Sequence, residues 1–196
     1  MSGEVNQKEI DGIVERAKGG SLDDFHQLYL IYSKPVYNFI WRLVGSSSEA
    51  EDLTQEAFLK VHSELRNLRD VRQFRYWLYR IARNEVYQKL RRSLRRSEVS
   101  IDNEEISYFD FLANDAHDLD PEGRVLSQEL DRVVQSSLMA LKPKYRDVFI
   151  LAVFEKMSYE EITKVVGRSL LSVKTDIYRA RLAVKDAVGS YLRRKQ

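Results

Sequence analysis

Apolar residues recur every three or four positions over most of the chain, the spacing of a single helix face. Ile10, Ile13, Val14 and Ala17 form a first stripe, closed by Gly19-Gly20. Ser21 followed by Asp24 has the layout of a capping box, and predicts a second helix from Leu22 towards Val44. Its stripe is Phe25, Leu28, Tyr29, Tyr32, Val36, Phe39, Ile40 and Leu43, with a kink expected at Pro35 and an end at Gly45. Ser48 with Glu51 predicts the cap of a third helix carrying Ala50, Leu53, Ala57, Phe58, Val61 and Leu65. After a break at RNLRDVRQ, Phe74, Leu78, Ile81 and Ala82 set the face of a fourth, FRYWLYRIARNEVYQKLRRSLRR, with Trp77 beside that stripe. Residues 97–123 hold no sustained period. From Pro121 the pattern returns in Val125, Leu126, Leu130, Val133, Val134 and Leu138, and Pro143 then opens KYRDVFILAVF, the most apolar helix of the chain.

These elements predict an all-α chain of two small helical bundles joined by a linker, the second containing a helix-turn-helix. The boundaries expected are 1–96, 97–123 and 124–196. Only 8 Gly and 3 Pro among 196 residues agree with long helices rather than a turn-rich β architecture. The absence of cysteine excludes disulfides and thiolate metal sites and suits a reducing compartment. MSGEVNQKEIDG has no apolar core of a secretory signal, and VFILAVF falls far short of the ~20 residues of a membrane span. A cytoplasmic protein without membrane insertion is the expectation.

Charge divides the chain further. From Arg66 to Arg96 eleven Lys and Arg stand against two acids, a net of +9. From Ser97 to Gly123 there are nine acids and no Lys or Arg, and from Arg168 onward eight basic residues oppose two acids, a net of +6. Separated single-sign fields attract separate partners, polyanions to the basic bodies above all. Chance clustering on solvated helix faces is the plainer alternative.

MSYEEITKVVGRSLLSVKTDIYRARLAV carries the local chemistry of a helix-turn-helix. Ser158 with Glu161 forms a capping box, Ile162, Val165 and Val166 face inward, and Gly167 supplies a left-handed residue at the helix end. Val173, Ile177, Ala180 and Val184 then define the apolar back of the next helix. Ser172, Lys174, Thr175, Tyr178, Arg179 and Arg181 occupy its other face, with Arg168 in the turn before it. A helix laid in the major groove needs hydrogen-bonding residues at its leading end and cations reaching phosphate. An ordinary helical hairpin with a charged exterior is the competing reading. Asp176 cuts against strong binding, because phosphate repels a carboxylate, and Leu170 and Leu171 stand where polar residues are expected.

The segment ALKPKYRDVFILAVFEKMSYEEITKVVGRSLLSVKTDIYRARLAVK resembles the promoter-upstream-reading domain of bacterial sigma factors. SSSEAEDLTQEAFLKVHSEL followed by FRYWLYRIARNEV resembles their core-binding and promoter-melting domain. Two such domains joined by a short linker look like the extracytoplasmic-function group of the sigma-70 family, over about Leu22 to Val188. Arg168, Leu170-Leu171 and Asp176 depart from the usual family pattern and put the upstream sequence read in doubt, more than the fold. The resemblance implies a factor that directs promoter recognition, strand opening and transcription initiation. It implies that Asp52, Gln55, Glu56 and Leu59 bind the clamp helices of the largest subunit of core RNA polymerase. From the residues alone, Glu49, Glu51, Asp52 and Glu56 form an acidic patch suited to a basic partner helix, and without the resemblance a solvated face with acids near a helix N-terminus is the preferred reading.

On the fourth helix, Arg75, Tyr76, Tyr79, Arg80, Arg83, Asn84 and Tyr87 are expected away from the core, cations and π-surfaces together, as a single strand requires. By resemblance the loop Leu68–Gln73, with Leu68, Arg69, Asp70 and Arg72, receives a base flipped from the non-template strand, and Asn84 helps read the adjoining element. The acidic linker, with Tyr108, Phe109 and Phe111, threads the polymerase cleft as an RNA mimic by resemblance, or is a flexible tether.

An enzyme is not expected, nor a cofactor or metal. His26, His62 and His117 fall in different elements, and no Gly-rich phosphate loop occurs. Two other functions compete: a helix-turn-helix regulator acting without core polymerase, and a sigma-like decoy that titrates a regulatory protein. Promoter DNA and core polymerase are the partners expected, and an anti-sigma factor is a further candidate that no residue identifies.

Overall fold

The computed structural model describes residues 6–96 and 125–194, and every regular element among them is helical. α1 spans Gln7–Lys18, α2 Leu22–Val44, α3 Ser47–Glu64, and α4 Phe74–Arg96, with two short 3₁₀ turns at Leu65–Asn67 and Val71–Gln73 between α3 and α4. α5 spans Val125–Met139, α6 Pro143–Val153, α7 Tyr159–Val166 and α8 Leu170–Arg194. The acidic stretch 97–123, and with it both readings of the linker, lies outside the described residues. Among the described residues no helix is long and apolar enough to cross a membrane.

Local chemistry explains where the helices start and stop. Ser21 accepts from the Asp24 amide at 3.3 Å, and Asp24 in turn receives Arg16 Nε at 2.9 Å, tying the last turn of α1 to the first of α2. Gly45 closes α2 at φ +79, the left-handed conformation a side chain resists. The chain leaves that reversal in the extended conformation at Ser46, so Ser46 rather than Ser48 caps α3, accepting from the Glu49 amide at 3.4 Å. α2 runs unbroken through Pro35, with Val36, Phe39 and Ile40 fully buried just beyond it. Pro143 occupies the first turn of α6, where its missing N–H costs nothing.

α1–α4 pack as one bundle and α5–α8 as a second, and the two share a continuous apolar core. They meet where α4 packs on α7 and where α2 packs on α5 and α6. The centre of this junction is Arg146, a fully buried residue of α6. Its guanidinium donates Nε to the Leu138 carbonyl at 2.6 Å, Nη1 to Leu43 at 2.9 Å and Nη2 to Leu141 at 3.1 Å, with Met139 as a further acceptor. Leu43 lies in the last turn of α2, and Leu138 and Met139 in the last turn of α5. Helix C-termini leave carbonyls without intrahelical partners, and one cation satisfies those of two helices from different bundles. Burial pulls the Arg146 pKa down to about 9, which leaves it protonated at neutral pH.

Candidate nucleic-acid interface

The loop between α3 and α4 and the first turns of α4 enclose a cleft of about 310 Å³. Asn67, Leu68, Arg69, Asp70, Gln73, Tyr76, Trp77 and Arg80 line it, together with Lys164 from α7. The cleft therefore joins Leu68, Arg69 and Asp70 of the loop to Tyr76 and Arg80, whereas Arg72 does not line it. Leu68 is buried, so its side chain serves the core. Trp77, which the helical spacing places beside the core, is half-buried and lines the cleft as well. Asn84 is exposed on the next turn of α4, outside this cleft.

Asp70 organises the loop. Its carboxylate accepts from the Arg72 amide at 3.1 Å, Arg72 Nε at 3.0 Å, Arg72 Nη2 at 3.1 Å and Gln73 Nε2 at 3.3 Å. The Arg72 guanidinium, above the other donors, holds the Asp70 pKa at about 2, below the ordinary 3.8. Because the folded value is depressed, this contribution is present above the ordinary value and is lost as pH falls towards 2. A carboxyl-carbon titration by NMR should give Asp70 a midpoint near 2, and Arg72→Ala should return it towards 3.8.

The rest of the α4 set does not form the free surface expected from sequence. Arg80 and Asn84 are exposed, but Tyr79 is only 1% exposed, its ring 5.2 Å from that of Phe39. The Tyr79 hydroxyl donates to the Glu155 carboxylate, and Arg75 Nη2 donates to the Glu155 carbonyl at 2.6 Å. Arg83 Nε reaches Asp147 at 2.7 Å, and its guanidinium lies 4.4 Å from the centroid of Tyr87, whose hydroxyl is 3.4 Å from the same carboxylate. Burial raises the Asp147 pKa, while Arg83 and Arg168 oppose that rise. The second bundle supplies the partners that make these polar groups compatible with burial.

On α3, Asp52, Gln55, Glu56 and Leu59 form one exposed face, and Leu59 is 72% exposed. Glu49 is separate from that face, paired with Lys89 of α4 at 3.3 Å. In the helix-turn-helix, Ser158 and Glu161 make the reciprocal capping box and Gly167 is left-handed at φ +69. Val173, Ile177, Ala180 and Val184 are buried against the bundle. Lys174, Thr175, Tyr178, Arg179 and Arg181 are exposed on the opposite side, with Ser172 half-buried, and Leu171 is 76% exposed at the leading end. Arg179 donates to the Tyr145 hydroxyl at 3.1 Å.

Arg168 and Asp176 depart from their expected places. Asp176 is buried on the core side of α8, one turn beyond Val173, and receives Arg168 Nη1 at 2.6 Å. Arg168 Nη2 reaches Asp147 at 3.1 Å and the Lys144 carbonyl at 3.0 Å. Its guanidinium is thus tied to groups of its own bundle, with the side chain 23% exposed, and Asp176 does not oppose phosphate on the outer face. Sequence reasoning missed Arg146, Asp147, Glu155 and Lys164. The signal present was an Arg-Asp pair inside the most apolar helix, where a charge needs a buried partner.

The chain is also similar to known proteins. Residues 28–96 match the Sigma-70 region 2 family, and residues 131–184 match Sigma-70, region 4. The chain is 33% identical over 192 residues to the RNA polymerase sigma-H factor of Pseudomonas aeruginosa, covering 96% of this chain and 98% of that one. It is 30% identical over 177 residues to the ECF RNA polymerase sigma factor SigW of Bacillus subtilis, covering 88% and 92%. The fold is similar to that of the sigma factor RpoE of Bartonella quintana, solved in complex with the anti-sigma factor NepR. The TM-score is 0.66 at 22% identity, over 86% of this chain and 98% of that one. With both regions matched in order and relatives aligned over nearly their full lengths, the chain belongs to the sigma-70 family of RNA polymerase sigma factors, in its extracytoplasmic-function group.

Proposed function

We propose that this sigma factor divides promoter initiation among three surfaces. The exposed α3 face of Asp52, Gln55, Glu56 and Leu59 seats core polymerase on the clamp helices of its largest subunit. The loop cleft of Arg69, Asp70, Tyr76 and Arg80, with Arg72 holding Asp70 in place, takes a base drawn out of the non-template strand. Unstacking costs a few kcal/mol, which hydrogen bonds from the loop and stacking on Tyr76 offset. Asn84, exposed on the next turn, extends that grip along α4, whereas Arg75, Tyr79, Arg83 and Tyr87 meet the second bundle instead. The outer side of α8 reads the upstream element through Ser172, Thr175 and Tyr178, with Lys174, Arg179 and Arg181 towards phosphate.

The observation that carries this reading is the cleft itself, enclosed by a hydrogen-bonded loop, aromatic rings and cations beside a separate acidic and apolar helix face. A regulator working without polymerase has no use for the α3 face, and a decoy has none for the cleft. None of the roles involves covalent chemistry. Among the described residues no cluster of His, Cys, Asp or Glu could hold a metal ion. The site of action proposed is the cytoplasm. The anti-sigma factor bound to the structurally similar RpoE makes a comparable partner reasonable for this chain.

Run-off transcription with purified core polymerase over a promoter library tests the whole: defined start sites that depend on this chain support it, and none at any sequence overturns it. Arg179→Ala should weaken upstream binding almost uniformly across sequences and reduce the slope of log K against log salt by about 1. A changed base preference would instead make Arg179 a base reader.

A further inference from the structure

Of the residues that depart from the expected pattern around the helix-turn-helix, Arg168 and Asp176 hold each other at 2.6 Å. Leu171 has no such place in the protein. It is 76% exposed in the first turn of α8, which Ser169 caps by accepting from the Ser172 amide at 3.3 Å. Val173, Ile177, Ala180 and Val184 form the buried back of that helix. At 3.6 residues per turn, Leu171, Thr175, Tyr178 and Leu182 fall diametrically opposite them, and all four are exposed. Lys174 and Arg181 lie on one flank of this ridge and Arg179 on the other. A ridge between two cationic flanks is the part of a recognition helix that reaches base edges, while the flanks meet phosphate on either wall of the groove.

The ridge is chemically one-sided. It holds no Arg, Asn or Gln, the side chains that make bidentate contacts with purines. Thr175 donates its single hydroxyl proton to the Leu171 carbonyl at 2.9 Å, which leaves a methyl group and acceptor lone pairs for a base. The leading turn therefore presents apolar groups at its centre. In the major groove thymine alone carries an apolar substituent, the C5-methyl group.

We propose that Leu171 is a specificity-determining residue that selects thymine in the upstream element, its side chain packing on the C5-methyl group with the Thr175 methyl as a neighbour one turn on. This rests on the reading of α8 as the upstream-element helix, and adds to it a residue that reads without a hydrogen bond. Thymine is favoured twice over. Its methyl leaves water against leucine, whereas cytosine at the same place has no methyl and buries an amino group that leucine cannot satisfy.

Deoxyuridine isolates this contact, because it keeps the O4 acceptor and the base pair of thymine and lacks only the methyl. Duplexes with a randomised stretch are selected by the full chain assembled with core RNA polymerase, and the upstream element is read from those enriched. One upstream thymine should be enriched by the parent chain and by Leu171→Met, and lose its preference in Leu171→Ala. Replacing that thymine with deoxyuridine should weaken parent binding about fourfold, the factor that burial of one methyl-sized group supports. The same replacement should leave Leu171→Ala binding unchanged. Leu171 is exposed, so both variants keep the packing of α8 intact. No enriched upstream sequence overturns the upstream reading of α8 and this assignment together. An enriched element without a deoxyuridine penalty, or with an equal penalty in Leu171→Ala, overturns the assignment to Leu171 alone.

Discussion

Arg146→Ala should lower the unfolding free energy by about 3–5 kcal/mol, the range for removing one member of a buried, fully satisfied polar arrangement. The guanidinium serves the carbonyls of Leu43, Leu138, Met139 and Leu141, and the side chain is fully buried. Alanine leaves four acceptors in a dry junction, each losing a charge-assisted bond, and opens a cavity the size of the side chain. Lysine should recover only part of the loss, because an ammonium cannot spread planar donors towards carbonyls on two helix ends. Urea unfolding followed by far-UV circular dichroism measures both variants. A loss below about 1 kcal/mol for alanine, the value of a single ordinary hydrogen bond, would mean that water replaces the guanidinium freely.

How much of this was legible in the sequence follows from what one-dimensional patterns record. Apolar spacing located the helices, and the Ser158–Glu161 box and the glycines at 45 and 167 located three of their ends, because each depends only on neighbours within a turn. The cap of α3 was misplaced among three consecutive serines, since which of them precedes the helix depends on the geometry Gly45 imposes. The larger misses share one cause. Polarity alone places Tyr79, Arg83 and Arg168 on exposed faces, because polar residues belong in water unless a partner is present. Their partners, Glu155 and Asp147, lie 76 and 64 positions along the chain from Tyr79 and Arg83, beyond any local pattern. Asp176 was readable: three positions after Val173 it shares the buried face, and an inward carboxylate should have prompted a search for a cation such as Arg168.

Asp52→Arg has a selective expected effect, because the α3 face proposed for core polymerase shares no residue with the surfaces proposed for DNA. Asp52, Gln55, Glu56 and Leu59 are all exposed, so a partner can reach them without rearrangement of the bundles. Reversing the charge at the centre of an acidic patch turns attraction for a basic partner helix into repulsion. It should cost about 2 kcal/mol, or some thirtyfold in affinity for core polymerase. Leu59→Ala should add about 2 kcal/mol, because a 72% exposed leucine one turn beyond Glu56 has the placement of an apolar anchor filling a partner's groove. Neither change touches the buried core, so unfolding midpoints should match the parent, and single-strand binding by the free chain should be unaffected. Fluorescence titration of labelled protein with core polymerase, beside oligonucleotide anisotropy, reads both effects. Parental polymerase affinity in the variant carrying both changes would remove α3 as the docking face.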